Sequence, residues 1–320
     1  MTAESRCLVC YQGLLGPAEY HPRCARRLFG TAVAPALDLD NDAVEKLALE
    51  VVNQRLALTG VQRKLSLALT SAADEVPRLT VVGALGGTHI LKPPSPEYPH
   101  LPEVEDLSMA LAALAGIPVA AHGLMRMTDG AFAYVTLRFD RIGNRKVAVE
   151  DLCQLSEKPT AAKYRSSCEK VGKVVRGFSS NPGDDALRFF ELLVFSFLTG
   201  NADMHLKNFS MLTKTGGLCG LSPAYDLVST RLLIPERLDP EELALPINGR
   251  KRKLTKDDFV ALAESMKIPS IVVDRTFVRF ARVGAAWNDC INRSFLPAHK
   301  QAELRDLVKE RSERLGIAGA

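Results

Sequence analysis

The spacing of apolar residues changes along the chain, and this change constrains the fold more than any other feature of the sequence. Between residues 64 and 92, leucines alternate with smaller or polar residues, as in Leu65-Ser66-Leu67-Ala68-Leu69, and this period of two predicts antiparallel β-strands. Beyond residue 139 the apolar period is mostly helical, and residues 184–199 predict a buried helix that ends at Gly200. We therefore expect an α+β fold with two lobes, of which the N-terminal lobe is β-rich and the C-terminal lobe is helical.

Turn and capping residues bound the expected elements. Strands are expected at 65–70, 79–82, 88–92, 119–127 and 131–139, and helices at 103–115, 184–199 and 255–266, with two more helices at the end of the chain. Thr255 and Asp258 form a capping pair, and Asp40, Asn41 and Asp42 offer caps for a further helix with Val44, Leu47 and Val51 on its apolar face. In the predicted division, residues 1–30 are a cysteine- and histidine-bearing segment, 31–137 the N-terminal lobe and 138–320 the C-terminal lobe.

The composition of the chain restricts the class of protein. Hydrophobic residues make up 47% and charged residues 24% of the 320 residues, which is ordinary for a soluble globular protein with a substantial core. The net charge of +4 is only mildly basic, so direct nucleic-acid binding is not expected. No apolar run is long enough for a membrane span or a signal peptide, and four of the seven cysteines are scattered singly. We therefore expect a cytoplasmic protein without membrane contact.

The residues that follow the predicted helix at 184–199 carry the chemistry. The sequence Gly200-Asn201-Ala202-Asp203-Met204-His205-Leu206-Lys207-Asn208 places Asp203 five residues before Asn208. Phosphoryl transfer needs such a pair, because an aspartate orients and deprotonates the attacking hydroxyl while an asparagine holds Mg²⁺ on the phosphates. Asp226, eighteen residues after Asn208 and beyond an apparent hairpin, would be the second Mg²⁺ ligand. Each residue taken singly would more often be a turn or capping residue, but their spacing and order favour phosphoryl transfer.

The predicted N-terminal lobe supplies residues suited to a nucleotide. Lys92 ends a predicted strand, and the next helix begins with Glu103 and Glu105, either of which could orient the lysine as in protein kinases. The segment Thr59-Gly60-Val61-Gln62 leads into the first strand, where a glycine lets the backbone approach phosphates. A surface lysine and an ordinary turn are the competing interpretations when each segment is considered alone.

Taken together, these segments resemble the HipA family of bacterial serine/threonine kinases, and among its members the short HipT-like proteins most closely. The matching segments are Thr59–Leu65, Ile90–Pro93, Glu105 with Met109, Arg138–Arg141, Gly200–Asn208 and Tyr225–Leu227. The resemblance implies a protein-kinase-like fold that uses ATP and Mg²⁺, with Asp203 as the catalytic base, Asn208 and Asp226 as Mg²⁺ ligands and Lys92 on the phosphates.

The resemblance also assigns further roles. Thr59, Gly60, Val61, Gln62, Glu105 and Tyr225 would contribute to nucleotide binding, Leu137, Arg138 and Phe139 would form the hinge beside the adenine, and His205 would orient the catalytic loop. The family implies a toxin that phosphorylates an aminoacyl-tRNA synthetase and is restrained by a HipB-like DNA-binding antitoxin. A small-molecule kinase of the aminoglycoside or choline type and a catalytically inactive interaction module are the alternative functions.

Two features depart from the resemblance. Ala57 stands where the family has a serine that can be autophosphorylated, so Thr59 becomes the candidate regulatory site. The N-terminal segment contains Cys7-x-x-Cys10, ten further residues and then His21-x-x-Cys24, a spacing that suits one tetrahedral Zn²⁺. Packed cysteines without a metal are the equally weighted alternative.

Overall fold

The computed structural model describes residues 5–37, 39–40, 43, 64–70, 76–82, 86–143, 145–214 and 216–317. The chain divides into two compact units. The first unit comprises Met1–Asp106, Ala120–Arg145 and Arg293–Phe295. The second comprises Leu107–Val119, Lys146–Asn292 and Leu296–Ala320. The lobe bounds predicted from the sequence remain a prediction. The helix expected after Asp40 lies outside the described residues. No helix in the described ranges has the length and apolar character needed to cross a bilayer.

The first unit is built on a five-stranded antiparallel sheet. Its strands are β1 (Leu65–Thr70), β2 (Arg78–Val82), β3 (His89–Lys92), β4 (His122–Arg126) and β5 (Phe132–Leu137), in the order β2-β1-β3-β5-β4. The period of two is confirmed, because Leu65 and Leu67 are buried while Ser66 between them and Ala68 after them are more exposed. Strand β4 is shorter than expected since Val119, at the start of the predicted strand, instead forms a parallel bridge with Ala224 in the second unit.

The cysteine- and histidine-bearing segment packs into the same core as the sheet. Helix α1 (Pro22–Phe29) and the loop before it contribute Cys7, Leu8, Cys24, Ala25, Leu28 and Phe29 to a cluster that includes Leu67, Leu91 and Leu124. The amide of Leu124 donates to the carbonyl of Leu8 at 2.8 Å, so the loop is hydrogen-bonded to β4. A Cβ atom at Gly123 would lie 2.8 Å from the side chain of Val9, and glycine therefore permits this close approach.

The remaining helices are α2 (Leu101–Leu114), α3 (Leu152–Leu155), α4 (Cys168–Phe178), α5 (Pro182–Thr199), α6 (Lys256–Ser265), α7 (Ser270–Arg293) and α8 (Ala298–Arg314). They confirm the predicted helices, including the two at the end of the chain and the Thr255–Asp258 capping box of α6. The sequence missed the short strands β6 (Arg141–Ile142), β7 (Arg145–Lys146) and β8 (Ala148–Asp151). Strands β9 (Ser210–Thr213) and β10 (Cys219–Leu221) confirm the hairpin expected between Asn208 and Asp226. Strands β8, β9 and β10 form a three-stranded antiparallel sheet. Strands of two to four residues are too short to give a clear period of two.

Helix α5 is the buried centre of the second unit. Phe189, Phe190, Phe195 and Phe197 are fully buried, and Pro182 occupies its first turn, where a missing amide proton is tolerated. The helix ends at Gly200, whose φ of +73° is left-handed. A Cβ atom there would lie 2.6 Å from the side chain of Leu307, so both the backbone and the packing require glycine. This ending fixes the start of the next loop.

Candidate active site

The loop that follows α5 holds Asp203 and Asn208 in one hydrogen-bonded turn. The side-chain amide of Asn208 donates to the main-chain carbonyl of Asp203 at 2.9 Å, and the amide of His205 donates to the same carbonyl at 2.8 Å. The amide of Asp203 donates to Oδ1 of Asn201 at 3.1 Å. Because the Asn208 Nδ2 is used in this way, its Oδ1 is the side-chain atom suited to a cation.

A second segment of the chain anchors the start of this loop. The carbonyl of Gly200 accepts hydrogen bonds from the amide of Arg231 at 3.0 Å and from the hydroxyl of Thr230 at 3.2 Å. The hydroxyl of Thr230 also accepts from the amide of Ala202 at 2.9 Å. The sequence did not predict this role for Thr230. The one hint in the sequence is that a residue with a hydroxyl group follows shortly after Asp226. Its hydrogen bonds limit the freedom of the backbone immediately before Asp203.

The carboxylate of Asp203 has a tyrosine partner that the sequence did not reveal. Tyr164 donates its hydroxyl to Oδ1 of Asp203 at 2.5 Å, and its ring meets that of His205 edge to face at 5.1 Å between centroids. Burial and then the hydrogen bond to Asp203 raise the pKa of Tyr164 well above its usual value, so the hydroxyl stays protonated and donates. No sequence spacing could have indicated a partner 39 residues upstream in a polar loop.

The ring of His205 is buried beside the same carboxylate. Burial lowers the pKa of His205, although the charges of Asp203 and Asp226 act in the opposite direction. The imidazole is therefore neutral at neutral pH, and its Nδ1 has no hydrogen-bond partner among the described residues. A buried neutral ring suits the predicted orienting role, which remains a prediction.

Asp226 lies in a conformation that is unusual for a residue with a side chain. Its φ of +54° is left-handed, and the chain before it is fixed by the amide of Ala224, which donates to the carbonyl of Pro118 at 2.8 Å. Such strain is most often found at functional sites, where the surrounding structure maintains it. The electrostatic effects of Asp203 and Asp226 on His205 indicate that both carboxylates lie near that ring. The side-chain oxygens of Asn208 and Asp226 are of the ligand type that fits Mg²⁺.

Tyr225 uses its hydroxyl within the second unit. That hydroxyl lies 2.5 Å from the hydroxyl of Ser210 and donates to the carbonyl of Lys207 at 2.9 Å. The ammonium of Lys207 in turn lies 3.1 Å from a carboxylate oxygen of Asp151. A nucleotide contact by Tyr225, as the resemblance implies, would therefore involve the face of its ring.

In the first unit, Lys92 and Glu105 form a buried ion pair. Nζ of Lys92 lies 2.5 Å from Oε1 of Glu105, and the side chains are 8% and 0% exposed. The ammonium also lies 5.5 Å from the ring centroid of Tyr134, which is opposite Lys92 in the neighbouring strand. Of the two glutamates considered from the sequence, Glu103 instead contacts His100 at 3.3 Å. The lysine and glutamate of the predicted kinase pair are thus brought together.

The residues predicted as a hinge lie at the end of β5. The amide of Leu137 donates to the carbonyl of Ala121 at 2.8 Å, and that of Arg138 to the carbonyl of Thr88 at 2.8 Å. Both amides are therefore occupied, and an adenine could contact these two residues only through other atoms. The guanidinium of Arg138 forms two hydrogen bonds to Asp140, at 2.9 and 2.8 Å. Burial alone would raise the pKa of Asp140, but the neighbouring Arg138 and then Arg141 outweigh it and lower that pKa.

The remaining predicted residues divide into two groups. Thr59, Gly60, Val61 and Gln62, the candidates for contact with phosphates, lie outside the described residues. Cys7, Cys10, His21 and Cys24 are brought together, and their potential ligand atoms all lie within 4.8 Å of one another.

Comparison with solved structures defines the class of protein to which this fold belongs. The toxin–antitoxin complex of HipA, HipB and operator DNA from Shewanella oneidensis contains a chain that superposes with a TM-score of 0.67 and 25% identity, over 82% of this chain and 65% of that one. The Helicobacter pylori proinflammatory kinase CtkA superposes with a TM-score of 0.52 and 13% identity, over 78% of this chain and 93% of that one. The fold is therefore the two-lobed, protein-kinase-like fold of HipA.

Sequence comparison then identifies the family. The family model described as the HipA-like C-terminal domain matches residues 56–287, and the chain belongs to this family. The protein Y4dM of Sinorhizobium fredii is 32% identical over 248 residues, covering 73% of this chain and 59% of the relative. The serine/threonine-protein kinase toxin HipA of Shewanella oneidensis is 31% identical over 251 residues, covering 71% of this chain and 55% of the toxin. The chain thus spans little more than half the length of these two curated relatives.

Proposed function

We propose that the protein is a kinase that transfers the γ-phosphoryl group of ATP, in the presence of Mg²⁺, to a serine or threonine hydroxyl of another protein. The observation that carries the proposal is the turn in which the Asn208 side chain binds the Asp203 carbonyl. It holds a carboxylate and an amide oxygen in the order that phosphoryl transfer requires. Membership of the HipA-like family supports the same reaction.

Asn208 and Asp226 would hold Mg²⁺ through their side-chain oxygens. Held by these two side chains, Mg²⁺ would supply the positive charge that offsets the negative charge developing on the phosphates. The hydrogen bond from Nδ2 of Asn208 prevents the amide from rotating freely, so Oδ1 is already oriented. The left-handed backbone at Asp226 fixes the direction of its Cα–Cβ bond. Asn208 therefore loses little side-chain freedom when it binds the ion.

Asp203 would accept the proton of the attacking hydroxyl. Oδ1 already accepts a hydrogen bond from Tyr164, so Oδ2 is the atom that we assign to the acceptor hydroxyl. Tyr164 is then a positioning residue that holds the carboxylate in one rotamer. A neutral His205 beneath the tyrosine ring supports this arrangement without competing for the proton.

Lys92 would bind the phosphates of the nucleotide. The ion pair with Glu105 and the face of Tyr134 hold its ammonium in one position. A lysine held in this way loses less side-chain entropy on binding than a free surface lysine. Thr59, Gly60 and Gln62 would add contacts from a segment outside the described residues, and Thr59 would be a site of autophosphorylation.

The protein that is phosphorylated and the binding partners are proposed from the HipA-like family. The solved relative is a complex of HipA with HipB and operator DNA, which supports a HipB-like DNA-binding antitoxin as the partner of this chain. We propose an aminoacyl-tRNA synthetase as the phosphorylated protein, and growth inhibition in the absence of the antitoxin as the consequence. A cytoplasmic location follows from such a substrate.

Incubation with labelled ATP and a bacterial lysate tests the proposal. The purified protein and its Asp203→Asn variant would each be mixed with γ-labelled ATP and Mg²⁺, and labelled products separated by size. One labelled protein band, absent with the variant, is expected, and mass spectrometry would identify it and its phosphorylated serine or threonine. Label confined to low-molecular-mass products would instead indicate a small-molecule kinase. No labelled product at all, from protein that binds ATP, would contradict the proposal.

A further inference from the structure

The four cysteine and histidine side chains near the N-terminus form a compact cluster within the first unit. Sγ of Cys10 lies 3.3 Å from Nδ1 of His21, and the potential ligand atoms of all four residues lie within 4.8 Å of one another. All three cysteines are free thiols. A CxxC disulfide would use only Cys7 and Cys10, and it would leave the convergence of His21 and Cys24 unexplained. Three sulfurs and one imidazole nitrogen are a common ligand set for structural Zn²⁺.

The imidazole of His21 is oriented as a ligand. Its Nε2 lies 3.1 Å from the carbonyl oxygen of Gly13, and this oxygen can only accept, so Nε2 carries the proton. In the neutral ring Nδ1 therefore presents a lone pair to the sulfurs. A hydrogen bond from the outer nitrogen of a histidine to a main-chain carbonyl is typical of metal-binding histidines, because it fixes the tautomer and the ring orientation.

The main chain around Cys7 is also suited to a thiolate. The amide of His21 donates to Sγ of Cys7 at 3.4 Å, and the amide of Tyr11 donates to the carbonyl of Cys7 at 2.9 Å, which closes the CxxC turn. His21 precedes the first residue of α1, and Cys24 lies in the first turn of that helix. A turn and a helix start thus each supply two of the four side chains. Packed cysteines without a metal would not require either arrangement.

The residue that follows Cys10 connects the cluster to the helix that carries Glu105. Tyr11 has a left-handed φ of +60° and donates its hydroxyl to Oδ2 of Asp106 at 2.5 Å. Asp106 is fully buried, and its Oδ1 lies 2.6 Å from Nδ1 of His122. Asp106 is adjacent in sequence to Glu105. The position of the turn at Cys10 therefore bears directly on the start of α2.

We propose that Cys7, Cys10, His21 and Cys24 bind one Zn²⁺ ion, and that this ion holds Tyr11 on Asp106 and so fixes the first turns of α2. The ion would cross-link the CxxC loop to the start of α1, and the hydrogen bond from Tyr11 to Asp106 would carry this constraint to α2, the helix on which Glu105 lies. Without the metal, the CxxC turn loses this coordinate link to His21 and Cys24 and keeps only its hydrogen bonds and its packing among the described residues. The proposal does not depend on the kinase activity, because both of its parts are measured without ATP.

Metal content and a cobalt spectrum test the site. Protein purified without chelator is expected to contain one zinc per chain by elemental analysis. After replacement of zinc by Co²⁺, the absorption spectrum should show tetrahedral d–d bands and the charge transfer of three thiolates. Cys24→Ser should lose the metal, whereas Cys219→Ser, which changes a cysteine outside the cluster, should retain it. Negligible metal in the folded native chain, or a cobalt spectrum with fewer than three thiolates, overturns the site even if Cys24→Ser fails to fold.

Hydrogen exchange tests the connection to α2. In zinc-free protein, and in the zinc-containing Tyr11→Phe variant, the peptide with Glu105 and Asp106 should exchange about tenfold faster than in the native protein, as expected for loss of a buried hydrogen bond to a charged group. Tyr20→Phe is the matched control, because the Tyr20 hydroxyl donates to the carbonyl of Leu124 rather than to Asp106. Unchanged exchange in this peptide for Tyr11→Phe overturns the connection.

Discussion

Replacement of Glu105 by alanine is expected to destabilise the first unit strongly, because it removes the carboxylate that pairs with a buried ammonium. The side chains of Lys92 and Glu105 are 8% and 0% exposed, and Nζ lies 2.5 Å from Oε1. Removal of one partner from such a buried pair costs about 3–5 kcal/mol of unfolding free energy. Glu103→Ala is the control on the same helix turn, since Glu103 contacts a partly exposed histidine. Its expected cost is about 0–1 kcal/mol.

The double variant Lys92→Met/Glu105→Leu separates stability from function. Replacement of both charges by apolar residues of similar volume is often neutral, or stabilising by about 1–4 kcal/mol, because neither charge then has to lose its hydration. We therefore expect the double variant to unfold at a urea concentration close to that of the native protein. Its affinity for MgATP should nevertheless fall to an undetectable level, since the variant lacks the ammonium group that would bind the phosphates.

Urea unfolding followed by circular dichroism, and calorimetric titration with MgATP, measure the two effects on the same samples. We expect Glu105→Ala to lose much of its stability. The double variant should regain that stability but should not bind MgATP. A double variant that binds MgATP like the native protein would refute the role of Lys92. A double variant as unstable as Glu105→Ala would refute the account of the pair as a buried charge interaction.

Three further changes in the second unit have clear expected outcomes. Gly200→Ala should destabilise the protein by about 2–4 kcal/mol in urea unfolding, because it adds left-handed strain and a steric clash. The control is Gly177→Ala in α4, where a Cβ atom meets open space, and this change should be neutral or stabilising by about 0.5–1 kcal/mol. The unfolding free energy should fall as the pH decreases below 6.5, the ordinary pKa of His205, because burial lowers its folded-state pKa and only the unfolded chain then binds the proton. His205→Gln should reduce this slope, and an unaltered slope would contradict the assignment of a buried neutral ring. Tyr164→Phe should lower the single-turnover rate of phosphoryl transfer while MgATP affinity is kept, and equal rates would show that the tyrosine does not position Asp203.

The sequence was most informative where a function depends on neighbours along the chain. Asp203 and Asn208 lie in one loop, so their spacing alone predicted that they would be brought together, and the hydrogen bond between them agrees with it. The strand that ends at Lys92 and the helix that carries Glu105 were each visible from apolar periodicity. The sequence did not show which of Glu103 and Glu105 pairs with Lys92, because this depends on the direction in which each side chain leaves the helix.

Contacts between distant segments were not predictable from the sequence. Tyr164 reaches Asp203 from a polar loop without periodicity, and Tyr11 reaches Asp106 across 95 positions. Nothing in the local composition of either tyrosine distinguishes it from a surface residue. The zinc spacing was visible in the sequence, but the orientation of His21 required the position of the Gly13 carbonyl. These features arise from tertiary packing, which short-range patterns do not encode.

The role of Asp203 as the base of a phosphoryl-transfer reaction is tested by the transfer of γ-labelled phosphate to protein, measured for the native chain and for Asp203→Asn. The variant keeps the side-chain shape but accepts no proton. Asp203→Asn is expected to bind MgATP with nearly native affinity and to transfer at least about a hundredfold less label to serine or threonine. Near-native transfer by Asp203→Asn would show that Asp203 is not the base.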